Sequence, residues 1–432
     1  MQTCDKSIRS VVDSAEDPST DFPIQNLPFG VFERDAREGP RIGVAIGDQI
    51  LDVAGAAEGG YLGGLSDGAK NALLKPVLND FAAMGPAPRM NLRRALQTLL
   101  GLDGPLRGSQ IAKRLLVPQR DVEMRMPFAI GDYTDFYASL HHATNVGSMF
   151  RPNQPLMPNW KWLPVGYHGR ASSIVVSGTP VRRPYGQVAK ADEGPAVFQP
   201  SVLLDYELEV GAFLATGNPM GSRIAVGRAL ECVFGLALVN DWSARDVQKW
   251  EYQPLGPFNA KNFATTVAPW VVTTEALEPF MLPGPPRQKE DPPTLEYLKS
   301  GDDVVFDITL EVWLATQPMR EKRMPPMLVS RGSFADMYWT FAQMIAHHTS
   351  TGCNLRTGDL LASGTVSGPT PDSRGSLLER TWRGTEPLKM PDGSERKFLQ
   401  DGDEVIIRGF CSKPGFRKIG FGECRGTIAA AG

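Results

Sequence analysis

The stretch LLDYELEVGAF, residues 203–213, alternates apolar and acidic side chains. Leu204, Tyr206, Leu208, Val210 and Ala212 share one face of an extended chain, while Asp205, Glu207 and Glu209 share the other, because side chains alternate along a strand. Two glutamates two residues apart lie about 7 Å from each other along it, so their carboxylates can converge on one point. Taken alone, the stretch reads as a half-exposed strand with a solvated acidic face. Extended character recurs at SIVVSG (173–178), VVFDITLEVWLAT (304–316), GDLLASGT (358–365) and DEVIIRGF (403–410), with Gly and Pro turns between. Residues 119–432 are therefore expected to be mainly β, a large sandwich or roll rather than a doubly wound α/β sheet. Helical pieces are expected at about 133–146, 241–252 and 334–348.

Upstream, RIGVAIGDQILDV (41–53) places apolar runs on either side of Gly47-Asp48, a hairpin signal. SDGAKNALLKPVLNDFAAM (66–84) and MNLRRALQTLLG (90–101) carry apolar residues at helical spacing. Residues 1–118 thus read as a small β-rich domain with a few helices. Residues 1–30 are expected to be a loosely held polar arm, and Gly101 to Pro118 the connection to the second domain. The Pro-rich segment Pro279 to Pro293 contains Pro283-x-x-Pro286 and is expected to be a stiff surface loop.

With 432 residues the chain suits two or three domains. A net charge of −3 leaves no basic footprint for nucleic acid. No apolar run is long enough to span a bilayer, and the first twenty residues lack the basic-then-apolar order of a signal peptide, so a cytoplasmic protein is expected. Five cysteines, an odd number with no C-x-x-C pair, point to free thiols rather than a disulfide framework or zinc ribbon. No dinucleotide fingerprint or P-loop is present. Gly64-Leu-Ser66-Asp-Gly68 matches a nucleophile elbow in letters only: no buried strand precedes it, and Ser66 sits where a helix N-cap belongs.

Two further segments join the acidic strand. LALVNDWSARDVQKWEY (236–252) delivers Asp241 at the end of an apolar run. If helical from there, Asp241, Arg245, Gln248 and Tyr252 form one face that suits a polar ligand better than solvent. GDYTDFYASLHH (131–142), if helical from about Thr134, puts Asp135 and His142 on one face and turns His141 away; a buried, hydrogen-bonded structural histidine is the other reading of His142. Four carboxylates at one point cannot all stay ionised without a cation, since two charges 4 Å apart repel by about 4 kcal/mol. Carboxylate oxygens suit Ca2+ or Mg2+, and no cysteine or adjacent histidine argues for zinc.

IGDYTDFY, HHATNVG, LPVGYHGRASSIVVSGT, DYELE, NDWSARDVQKWEY, PLGPF and GDLLASGT, running in order from DFPIQNLPFGVF to FGECRGTI, resemble the fumarylacetoacetate hydrolase family over nearly the whole chain. The resemblance implies a small SH3-like N-terminal domain, a C-terminal mixed β-sandwich roll and a homodimer. It also implies hydrolysis of 4-fumarylacetoacetate to fumarate and acetoacetate, the last step of tyrosine and phenylalanine breakdown. It assigns Asp135, Glu207, Glu209 and Asp241 as metal ligands, and Lys261 and Thr265 as bounds of a second cation position, usually Mg2+. His142 falls on the catalytic histidine, with Glu379 orienting it; Arg245, Gln248 and Lys261 fall on groups that stabilise developing negative charge. Tyr137, Arg151, Tyr167, Arg245, Gln248, Tyr252 and Thr365 fall on substrate contacts. Ala264 stands where relatives usually have Gly, and the Arg151 to Pro158 loop also departs from the family pattern. Two other readings are a related enzyme of the superfamily, such as a keto-acid decarboxylase or hydratase, and a cation-binding module without catalysis.

Overall fold

In the computed structural model, which describes residues 2–189, 194–301 and 303–432, the Gly47-Asp48 pair closes the expected hairpin. Arg41–Ile46 and Gln49–Asp52 pair with Ile46 opposite Gln49, and Gly47 supplies the positive φ of +56° that a two-residue turn needs. These strands lie in a five-stranded antiparallel sheet in the spatial order Leu116–Pro118, Gln49–Asp52, Arg41–Ile46, Phe29–Glu33, Glu123–Arg125. The helix Pro86–Leu100 buries Leu92, Leu96, Leu99 and Leu100 in the same core. Ser66 caps the helix Asp67–Leu73 by accepting from the Ala69 N–H at 3.2 Å.

Two expectations for this region fail. The first thirty residues are packed, not loose: Phe22, Ile24 and Leu27 are buried. The Gln25 amide donates to the carbonyls of Asp5 and Ile8, that of Asn26 to Asp21 and Gly420, and buried Arg93 donates to the carbonyl of Asn26 at 2.7 Å. The polar residues that suggested an arm are used internally, on main-chain carbonyls. The segment 101–118 is likewise no simple connection. It holds the helix Gln110–Leu115, capped by Ser109, and the strand Leu116–Pro118 that pairs with Gln49–Leu51.

Downstream, an eight-stranded mixed sheet runs Gly166–Gly169, Tyr133–Phe136, Leu360–Ala362, Leu208–Leu214, Val233–Asp241, Thr265–Val267, Ile174–Val176, with Val272–Thr273 also paired to Val233–Asp241. A five-stranded sheet holds Met327–Ser333, Thr309–Ala315, Glu404–Cys411, Ile419–Ala429 and Val181–Arg182. Val210, Leu236 and Leu238 of the first meet Leu310, Val312, Ile407 and Phe421 of the second in one core, the expected mainly β layers. The opposite face of the large sheet is also covered. Phe213, Phe234, Ala237, Val239 and Leu360 pack against Phe29, Phe81, Leu92 and Phe128, with Phe128 stacked on Phe213 at 4.6 Å. At roughly 1.5–3 kcal/mol per buried large apolar side chain, this seam makes the N-terminal sheet a structural backing for the larger one. Main-chain bonds of 3.0 and 2.8 Å between Phe29 and Val271 close it, and a Cβ on Gly30 would meet the Trp270 ring at 2.6 Å.

Burial on both faces overturns the solvated acidic face: every residue from Leu204 to Leu214 is buried. The stretch is also not one strand. Leu204–Asp205 pairs with Ser243–Ala244, and Leu208–Leu214 pairs with Val233–Asp241 and Leu360–Ala362. The helix expected from Thr134 begins only at Leu140, where Ser139 accepts from the His142 N–H at 3.2 Å. Tyr133–Phe136 is instead a strand, parallel to Leu360–Ala362 and antiparallel to Gly166–Gly169. Asp241 ends a strand opposite Thr265, and the following helix, Arg245–Glu251, excludes it. In both cases pairing with distant strands overrides a local helical spacing. The third expected helix is present as Phe341–His348, with a Thr340/Gln343 capping box. The five cysteines are free thiols. Among the described residues no helix is long and apolar enough to cross a membrane.

Candidate active site

Three strands of the large sheet and the break ahead of one of them converge four acids. Asp135 comes from Tyr133–Phe136, Glu209 from Leu208–Leu214, Glu207 from the break just before it, and Asp241 from the end of Val233–Asp241. All four are buried, and each offers an oxygen within 4.8 Å of the others. The Asp241 N–H donates to the Glu207 carbonyl at 3.3 Å, which keeps the break in the 204–214 segment against the neighbouring strand.

Direct ion pairs reach only half of the cluster. Buried Lys261 donates to Glu207 and, at 2.6 Å, to Asp241. Arg245 pairs with Glu207 at 2.7 Å and with Asp205 at 2.9 Å. Burial pushes the Glu207 carboxyl up, but the Lys261 and Arg245 charges outweigh it and hold the group well below the usual range. Burial, then the Asp241 charge, drives Asp135 well above its ordinary value; burial, then the Asp135 charge, does the same to Glu209. Oδ1 of Asp135 and both oxygens of Glu209 are buried, and among the described residues no donor reaches them. Uncompensated buried carboxylates are costly, so a hard divalent cation fits this donor set: four carboxylates, three idle oxygens and a deficit of positive charge.

Thr265 and Tyr167 donate to the two oxygens of Asp241 at 3.0 and 3.1 Å. His142 stands on the helix Leu140–Phe150, and its Nδ1 meets Oε2 of Glu379 at 2.6 Å. Glu379 has no solvent exposure; it also accepts from Asn145, Ser367 and Ser376 at 2.9, 3.0 and 2.9 Å. Burial acts to raise its carboxyl, yet the His142 charge and the hydrogen bonds from His142, Asn145 and Ser376 hold it below the usual range. With Nδ1 engaged by a carboxylate, Nε2 is the nitrogen left to accept a proton. The Tyr137 ring lies edge-on to His142 at 5.1 Å. Its hydroxyl is pushed up by burial and the Glu379 charge, against an opposing pull first from Arg245 and then from Arg151.

Arg245 also donates to the Gln248 side-chain oxygen at 3.1 Å, and its Nη2 is buried without a partner, as is Oγ1 of Thr365. Arg151 and Tyr252 are exposed; Arg151 donates to the Pro155 carbonyl, and the Tyr252 hydroxyl accepts from Gln253. Ala264 is buried beside the site in the main core. Sequence reasoning did not single out Asn145, Ser367 or Ser376, and used Asp205 only as a member of the acidic face. Asn145 carried a signal, since it lies three residues after His142 and therefore on the same helical side; the two serines carried none.

Residues 132–429 match the family model described as fumarylacetoacetate (FAA) hydrolase C-terminal, and residues 25–127 match fumarylacetoacetase N-terminal. The chain is similar to fumarylacetoacetase of Homo sapiens, 49% identical over 98% of this chain and 99% of the relative. It is 51% identical to that of Caenorhabditis elegans, over 96% and 97% of the two chains, and 47% identical to that of Arabidopsis thaliana, over 98% of each. A solved structure described as fumarylacetoacetate hydrolase from psychrophilic Exiguobacterium antarcticum shares the fold, with a TM-score of 0.52 and 19% identity over 94% of this chain and 99% of that one.

Proposed function

The chain belongs to the fumarylacetoacetate hydrolase family, and from that membership we propose that it hydrolyses 4-fumarylacetoacetate to fumarate and acetoacetate. The observation that carries this reading is the His142–Glu379 pair beside four converging carboxylates, within a chain 47–51% identical to fumarylacetoacetases over 96–98% of its length. Identity of that extent disfavours a decarboxylase or hydratase of the wider superfamily.

His142 Nε2 takes a proton from water as its oxygen adds to the ketone carbon next to the fumaryl double bond. Glu379 holds the ring's orientation and stabilises the positive charge it gains. The addition makes an alkoxide. Arg245, whose Nη2 has no partner, Gln248 and Lys261 donate to the developing charge, a task in which one donor is worth about 3 kcal/mol. Collapse of the alkoxide breaks the carbon–carbon bond. The electron pair leaves as the enolate of acetoacetate, whose carbon receives the proton from His142. A divalent cation held by Asp135, Glu207, Glu209 and Asp241, Ca2+ or Mg2+, would supply Lewis-acid polarisation of the diketone oxygens. Thr365, Tyr137, Tyr167, Tyr252 and Arg151 are the contacts proposed for the rest of the substrate on the family resemblance, the guanidinium suiting a carboxylate. A second cation, Mg2+, is assigned beside Lys261 and Thr265. Lys261 would serve there through its main chain, because an ammonium offers no ligand oxygen.

The proposal extends to a homodimer in the cytoplasm, serving tyrosine and phenylalanine breakdown. An exposed apolar surface supports association: Tyr185, Phe198 and Trp250 line one groove, and Leu255 and Phe258 stand 96% and 66% exposed on the loop after the Arg245–Glu251 helix. The decisive assay follows loss of diketone absorbance with fumarylacetoacetate and Ca2+ or Mg2+. Turnover with release of fumarate is expected, and its absence would refute the assignment.

A further inference from the structure

One buried carboxylate has no part in the mechanism above. Asp205 has no solvent exposure, and its oxygens meet donors from three directions. Oδ1 accepts the N–H of Leu377 at 2.7 Å and of Tyr206 at 2.8 Å. Oδ2 accepts the N–H of Leu378 at 3.0 Å and Nε of Arg245 at 2.9 Å. Leu377 and Leu378 open the helix Leu377–Arg380, which carries Glu379, and Arg245 opens the helix Arg245–Glu251. Two walls of the site, far apart in sequence, therefore meet on a single side chain. Main-chain bonds make the same splice around it: Arg245 N–H to the Leu203 carbonyl and Leu208 N–H to the Gly375 carbonyl, both 2.9 Å.

We propose that Asp205 is a positioning residue: it fixes the Arg245 guanidinium relative to the helix that carries Glu379, and so sets the spacing between the proton-accepting pair and the group that receives negative charge. Arg245 already has an ion-pair partner in Glu207 at 2.7 Å, so charge balance alone does not require Asp205 on Nε. The second grip locks the guanidinium plane and leaves Nη2 as the nitrogen without a partner. A buried acceptor filled by four donors has little freedom, and the geometry it imposes matters because a misplacement of about 1 Å at a reacting centre can cost 100-fold in rate. This inference rests on the roles given above to Arg245, His142 and Glu379.

The test compares Asp205→Asn, Arg245→Gln and the double variant at saturating divalent cation. Asparagine keeps the shape but sets an amide N–H against a donor on one side. The expected result is a kcat about 100-fold below the unsubstituted protein, with KM within threefold. Affinity for a phosphinate mimic of the tetrahedral adduct should fall in parallel, while affinity for planar acetoacetate stays within threefold. In the double variant the loss should be well short of the product of the two single losses, because both act through one set of contacts. A folded Asp205→Asn protein with kcat and mimic affinity within threefold of the unsubstituted one, or losses that multiply, overturns the proposal. Hydrogen exchange in Arg245→Gln gives a measure independent of turnover. Protection at the Leu377 and Leu378 amides should drop at least tenfold once their acceptor loses its anchor, and unchanged protection there overturns the proposal even if Asp205→Asn does not fold. Absence of turnover by the unsubstituted protein would instead sink the hydrolase reading, so the two failures are distinct.

Discussion

Replacing Glu379 by Gln changes one oxygen to NH2 and leaves the volume almost untouched, so its effect reports on hydrogen bonding alone. Three donors converge on Oε2, from His142, Ser367 and Ser376, and one, from Asn145, on Oε1. The amide can satisfy this set in neither orientation. With its oxygen toward His142, its NH2 faces the Asn145 NH2. With its NH2 toward His142, the imidazole must turn Nδ1 into an acceptor, which places the proton on Nε2 and removes the base. The corresponding acid-to-amide change in a Ser-His-Asp triad lowers kcat about 10⁴-fold through the wrong tautomer. A loss of roughly 10³–10⁴ is expected here, which at 1.36 kcal/mol per decade is about 4–5 kcal/mol of barrier. One buried donor left unmatched costs about 1–3 kcal/mol of stability, too little to unfold a chain of this size on its own. Initial rates of diketone loss, read beside thermal unfolding and calorimetric Ca2+ binding, check this. A folded, cation-binding Glu379→Gln protein within tenfold of the unsubstituted kcat would refute the orienting role of Glu379.

Three further outcomes are expected. His142→Ala should abolish turnover and leave cation affinity intact, whereas Asp241→Ala should lower both together; calorimetry showing unchanged metal binding in the latter would remove Asp241 from the ligand set. Asp135 and Glu209 have raised carboxyls in the cation-free protein, so the stability they contribute is complete below the unfolded carboxylate range near pH 4 and is lost as pH rises through the raised values. Cation binding displaces those protons. At one fixed Ca2+ or Mg2+ concentration, set at about 100 times the Kd at pH 8, the gain there is worth ~2.7 kcal/mol or roughly 3 °C in melting temperature for a chain of this length, and it should be smaller at pH 5.5; the reverse order would contradict the charge assignment. Gly364→Ala should lower stability by about 1–3 kcal/mol and also slow turnover, because φ is +76° there and a Cβ would lie 2.2 Å from the Phe136 carbonyl oxygen, between Asp135 and Thr365; an unchanged melting curve would argue against that strain.

Much of the site was legible from chain-local patterns, and the failures share one cause. The Glu207/Glu209 spacing, the Asp241 at the end of an apolar run and the Ser66 cap depend on neighbours in sequence. The helices expected across Thr134 and Asp241 were wrong because residues 133–136 and 239–241 are held as strands by residues 360–362, 166–169 and 265–267, which no local window contains. Ser139, the true helix cap, was the signal available in the sequence. Glu379 lay more than two hundred residues from His142, and only the family resemblance paired them.

By itself the sequence determined which side chains share a face and where hairpins and caps form, since these follow from the periods of strand and helix and from steric limits on φ and ψ. What covers a face is not in its period. Only the tertiary structure decided that the acidic face of residues 205–209 is buried, that Asp135 joins it from a strand beyond Leu360–Ala362, and that Lys261 and Arg245 form ion pairs with Glu207 and Asp241 while Asp135 and Glu209 feel Lys261 only at a distance. Charge compensation depends on distances between segments remote along the chain, and those distances exist only once the sheets have closed around them.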